Sequence, residues 1–226
     1  MAELYVALDL PDAPSAVELL DRLPAGAPVK VGSVLMTRAG HGFVRSVLDA
    51  GHPVFLDLKW HDIPSTVHGA VLAAVELGVR MVTVHALGGI EMMRAAVAAA
   101  AGRLDVVAVT VLTSHDVEGF GAVTGRTGVD LGSEAVRLAT TAMEAGVAGV
   151  VCSAEELAQL RPVVGTGRLV VPGIRRLEDV LGDQRRVATP EAAVASGATD
   201  LVVGRPITGA DDPGAAWAEF RRLIGS

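Results

Sequence analysis

Residues 54–64 read VFLDLKWHDIP, a buried-looking strand that carries Asp57, Lys59 and Asp62 as it ends. Side chains alternate along a strand, so Asp57 and Lys59 share one face and Leu58 takes the other. With Leu56 and Leu58 packed outward, the carboxylate and the ammonium point inward. Lys30 in PVKVG and Asp9 in LYVALDL, on neighbouring strands, are placed to meet them. An alternating Lys–Asp–Lys cluster holds charge inside a protein because each ion has an opposite partner. One reading is a structural ion-pair network; the other is an electrostatic site.

A second chemistry lies in LVVGRPIT, residues 201–208. Gly204 lets an anion approach the backbone, and Arg205 adds a forked cation. Arg175 and Gln184, in the segment before it, supply further donors. Arg205 as an ordinary surface arginine is the plainer alternative. Together the two clusters suit a phosphorylated substrate whose reacting end faces Lys59.

These side chains need a scaffold that brings strand ends together. Eight short β-branched runs recur at 4–10, 28–32, 53–58, 81–86, 105–112, 147–153, 168–173 and 200–204, separated by Ala/Leu-rich amphipathic stretches. Alternating strands and helices imply parallel pairing through right-handed crossovers. Eight such units in 226 residues predict one (β/α)₈ barrel domain over 1–226, with an open doubly wound sheet as the alternative. In a barrel the chemistry sits at the C-terminal strand ends, and the loops after strands seven and eight often form a phosphate site. Ser15 is the expected N-cap of the first helix, with Glu18 at capping-box spacing, and Gly51, Gly78 and Gly146 are expected helix ends. The long Gly-rich segments after strands five and seven read as lids or as plain surface excursions.

Composition narrows the classes. The chain is half apolar with 3% aromatics, so Ala, Val and Leu fill the core. A formal charge of −7 with no basic block argues against nucleic-acid or anionic-membrane binding. Cys152 is the only cysteine, which excludes an internal disulfide and suits a reducing compartment. No signal-peptide pattern or membrane-length apolar run is visible, so a cytoplasmic protein is expected. Cys152 and His85 read as packed core residues, and no His/Cys/Glu grouping has metal-site spacing. A nucleophile-elbow pattern is absent.

With these residues in view, the sequence resembles the orotidine 5′-phosphate decarboxylase family, bacterial type. The resemblance rests on DLKWHD, an Asp-x-Lys-x-x-Asp motif extended as FLDLKWHDIPSTV, and on VKVG, VTVHALGG, VTVLTS, VVCS, VPGIR, DQRRVATP and LVVGRPIT in order. It implies a (β/α)₈ barrel acting as a homodimer, with no metal or organic cofactor, that converts orotidine monophosphate to UMP and CO₂. It further implies a catalytic array of Lys30, Asp57, Lys59 and Asp62, with Asp62 crossing into the partner's site beside Ile63 and Thr66. Asp9 and Lys30 would contact the ribose and Thr113 the pyrimidine. Arg175, Gln184, Gly204 and Arg205 would hold the phosphate. The chain departs from the family pattern after Lys30, where VGSVLMTRAG replaces a Glu and an aromatic residue, and at Trp60 and Ser65.

Related sugar-phosphate barrels, 3-keto-gulonate-6-phosphate decarboxylase and hexulose-phosphate synthase, share Asp-x-Lys-x-x-Asp but use Mg²⁺. Their second strand usually offers Glu where this chain has Lys30, and a cation there disfavours a metal in the same space. A catalytically silent nucleotide-binding barrel is the rival from another class; the complete set of charged residues speaks against it.

Overall fold

Parallel strands buried on both faces call for near-continuous apolar runs, and these short Val-rich segments supply them. In the computed structural model, which describes residues 2–176, 179 and 188–225, they close into a barrel in sequence order. The strands are β1 (Glu3–Ala7), β2 (Val29–Gly32), β3 (Val54–Trp60), β4 (Met81–His85), β5 (Asp105–Val109), β6 (Gly149–Val151), β7 (Arg168–Val171) and β8 (Asp200–Val203). β1 pairs with both β2 and β8, which closes the ring. The expected (β/α)₈ barrel is therefore the observed fold, and the doubly wound sheet is excluded.

The helices are α1 (Ala13–Asp21), α2 (Ser33–Asp49), α3 (Pro64–Leu77), α4 (Ile90–Ala100), α5 (Val117–Thr124), α6 (Leu131–Glu144), α7 (Leu157–Val164), α8 (Pro190–Ala195), α9 (Arg205–Thr208) and α10 (Pro213–Leu223). α1 is capped by Asp12, which accepts from the Ser15 N–H at 2.9 Å, and not by Ser15 as the capping-box spacing suggested. Pro14 explains the difference: proline fits a helix only in the first turn, so the start lies upstream of Ser15. Gly51, Gly78 and Gly146 do end helices, each with φ near 90°. The long segment after β5 is not a bare loop. It contains α5, whose N-cap Asp116 accepts from the Gly119 N–H.

Strand parity divides the core in two. Val6, Val31, Leu56, Val82, Val84, Ala108, Val150, Leu169 and Leu201 face the helices. Tyr5, Ala7, Phe55, Met81, Val107, Val170 and Val202 form a separate cluster, the plug inside the barrel. Tyr5 and Phe55 meet edge to face at 5.6 Å. Each large plug side chain contributes about 1.5–3 kcal/mol by burial. At the N-terminal end Arg168 bonds Asp105 at 2.8 Å and the fully buried Asp200 at 2.7 Å, sealing the barrel floor with an ion-paired network. Among the described residues no helix is long and apolar enough to cross a membrane.

Candidate active site

The inward parity that builds the plug changes from apolar to charged toward the C-terminal mouth. On β2 the inward positions are Lys30 and Gly32; on β3 they are Phe55, Asp57 and Lys59. Lys59 Nζ lies 2.8 Å from both oxygens of Asp57. Lys30 Nζ lies 3.6 Å from Asp57 and 2.9 Å from Asp9. The expected alternating cluster is thus present, although β1 ends at Ala7 and Asp9 stands just beyond it. Gly32 keeps room for the pair: a Cβ there would lie 3.1 Å from Lys30 Nζ and 3.3 Å from Asp9 Oδ1.

Burial is the largest influence on Asp57 and disfavours its charge. Lys30, Lys59 and hydrogen bonds from Lys59 and Thr83 together outweigh it, holding the carboxyl below its usual value. Asp57 is therefore ionised at neutral pH despite being mostly enclosed.

β3 is not a regular strand here. Leu56 pairs with Val82 and Trp60 with Val84, so three residues of β3 face one of β4. The extra length is taken up at Lys59, whose φ of 51° lies in the left-handed region. A non-glycine residue there is uncommon, and such conformations concentrate at functional sites. The irregularity turns Asp57 and Lys59 to the same interior while Leu58 still packs outward.

A cavity of about 530 Å³ opens at this mouth. Its lining includes Asp9, Lys30, Asp57, Lys59, Thr113, Arg175, Gly204 and Arg205, so eight of the residues expected from sequence share one space. Arg175 is buried, with its backbone N–H donating to Ala188; Arg205 is exposed at the start of α9. Gln184 lies outside the described residues. Asp62, Ile63 and Thr66 do not line the cavity of their own chain and stand exposed. Asp62 accepts from the Ile63 N–H at 2.6 Å, just before α3.

Several lining residues were not singled out as site residues from sequence. Ser33 and Thr208 line the cavity, as does the buried Cys152, which had read as core alone. Thr83, fully buried on β4, touches both Asp57 and the Lys59 backbone. The available signal was a polar residue at an inward position of an otherwise apolar strand. His85 is only partly buried and stacks on His61 at 5.5 Å. Burial chiefly, then the charges of His61, Lys59 and His115, lower its pKa to about 4.

A closed parallel barrel with two lysines, two aspartates and two arginines around one cavity has the form of a barrel enzyme for an anionic substrate. The sequence comparisons specify the class further. The family model for the orotidine 5′-phosphate decarboxylase / HUMPS family matches residues 2–220. The chain is 53% identical to orotidine 5′-phosphate decarboxylase of Halorhodospira halophila, covering 98% of this chain and 95% of that one. It is 45% identical to the enzyme of the same name from Pseudoalteromonas translucida, over 98% and 97% of the two chains. The crystal structure of orotidine 5′-phosphate decarboxylase from Lactobacillus acidophilus superposes with a TM-score of 0.89 at 33% identity, covering both chains completely. The chain belongs to the orotidine 5′-phosphate decarboxylase / HUMPS family.

Proposed function

We propose that the protein is a carboxy-lyase that converts orotidine monophosphate to UMP and CO₂ in pyrimidine biosynthesis, without a cofactor, with Lys59 as the proton donor to C6. The observation that carries this reading is the Lys59 ammonium, paired with Asp57 in the same cavity as Arg205. Loss of CO₂ from C6 leaves an electron pair in the ring plane, with no adjacent π system to spread it. Lys59 stabilises that pair as an ammonium and then delivers a proton to the carbon. Asp57 keeps the ammonium in place and, beside the substrate carboxylate, disfavours the ground state relative to the transition state.

The unassisted reaction calls for a barrier reduction on the order of 20 kcal/mol. One well-placed donor supplies roughly 3–4 kcal/mol. The rest is assigned to the distant phosphate, held by Arg175, Gln184, Gly204 and Arg205, whose binding orients the ring. Asp9 and Lys30 hold the ribose, and Thr113 lies by the pyrimidine. In this reading the whole chain is a single catalytic domain that works in the cytoplasm as a homodimer. Asp62 and Thr66, with Ile63, complete the partner's cavity; their exposure and their absence from the lining of their own cavity support this.

The family also contains sugar-phosphate enzymes. Lys30 Nζ, 3.6 Å from Asp57 and 2.9 Å from Asp9, places a cation between the carboxylates that a divalent metal would need, which favours the nucleotide reading. The test is loss of orotidine-ring absorbance on mixing with orotidine monophosphate, with and without EDTA. Equal rates in both support the proposal. No absorbance change, or turnover abolished by EDTA, refutes it.

A further inference from the structure

Thr83 lies midway along β4 with no exposed surface. It stands opposite the β3 irregularity: Asp57, Leu58 and Lys59 on one strand face this single residue on the other. A hydroxyl has one proton to donate and lone pairs to accept. Thr83 uses both capacities. Its Oγ1 donates to Asp57 Oδ1 at 2.9 Å and accepts from the Lys59 N–H at 2.8 Å. The second bond falls on the residue that carries the left-handed φ of 51°, whose N–H is displaced from regular strand pairing. A left-handed non-glycine residue is strained, so the surroundings must hold it there.

We propose that Thr83 is the positioning residue of this site, its hydroxyl clamping the β3 irregularity so that Lys59 and Asp57 are presented to the substrate together. The inference rests on the reading of Lys59 as proton donor. Thr83 does not line the cavity. It acts through two neighbours, by holding the backbone of one and the carboxylate of the other. The hydroxyl is the working group, since the lysine ammonium already bonds both Asp57 oxygens but does nothing for its own backbone N–H.

The test compares Thr83→Val, which keeps the shape and removes the hydroxyl, with Thr83→Ser, which keeps the hydroxyl. Valine is expected to lower kcat by roughly tenfold to a hundredfold, as small misplacements of reacting groups do. The KM for orotidine monophosphate and the Kd for UMP stay within about threefold, because the phosphate residues are untouched. Serine restores kcat to near the parent value. If valine does not fold, Thr83→Ala against Thr83→Ser isolates the same hydroxyl. Equal kcat in the hydroxyl-bearing and hydroxyl-lacking variants overturns the proposal, as does a loss confined to KM. Lys59→Ala, assayed alongside, separates the two claims. If it remains active, the proton-donor reading fails. If it is dead while Thr83→Val turns over like the parent, only the positioning role fails.

Discussion

Asp57 shows how the site is settled at the level of single side chains. Burial opposes its charge more than any one partner favours it, yet two ammonium groups and two hydrogen bonds prevail together. Its stabilising contribution is present at neutral pH and is lost only as pH falls through a folded-state value below 3.8. His85 is instead held neutral, yet its effect on stability runs the same way with pH. Its folded pKa is about 4 against 6.5 for a free side chain, so between those values the unfolded chain binds the extra proton. Stability should therefore fall as pH drops from about 6.5 to about 4, before Asp57 titrates. His85→Asn, which keeps an acceptor for the Leu87 N–H, should flatten that slope in urea titrations across the window. An unchanged slope would show that His85 does not titrate as its surroundings dictate. The charged residues were legible because a lysine or aspartate at inward parity on an apolar strand is conspicuous. Thr83 was not, since a threonine in a β-branched run looks like any other strand former.

At the level of elements, the eight strands were legible as apolar runs, and their ends were less so. β5 stops at Val109 where the run extends to Leu112, and β1 stops at Ala7 where it extends to Leu10. Hydrophobicity continues past the last strand pairing because those residues still pack, Leu8 and Leu10 in the helix-facing core and others inside the mouth. Val111 and Leu112, for example, line the cavity. The left-handed turn at Lys59 was hidden for a related reason: it depends on how β3 registers against β4, and periodicity in one strand carries no register. Close packing also operates here. A Cβ on Gly149 would collide with the carbonyl oxygen and the nitrogen of Arg168, both backbone atoms of β7. Gly149→Ala should push β6 from β7 and cost at least about 1–3 kcal/mol, read as a lower urea midpoint. A midpoint equal to the parent's would mean that the two strands separate more easily than this contact implies.

For the whole molecule, the barrel mouth gathers residues from the ends of separate strands, which explains how side chains as distant in sequence as Asp9 and Arg205 line one cavity. Ile63, Leu87, Val117 and Val123 stand exposed. Asp62 and Thr66 share the Ile63 segment, where the proposed partner subunit would cover them. Mixing inactive Lys59→Ala and Asp62→Ala subunits should then restore activity, because one of the two sites in a mixed dimer is intact. Subunit exchange without recovery would argue against a shared site. The central claim is that one cavity joins a phosphate-binding end to a proton-donating Lys59, and that the two ends are separable. The most direct measurement is turnover and UMP affinity of Lys59→Ala side by side. Turnover should fall by at least about a thousandfold while UMP binds within about tenfold of the parent. Turnover close to the parent's would contradict the claim.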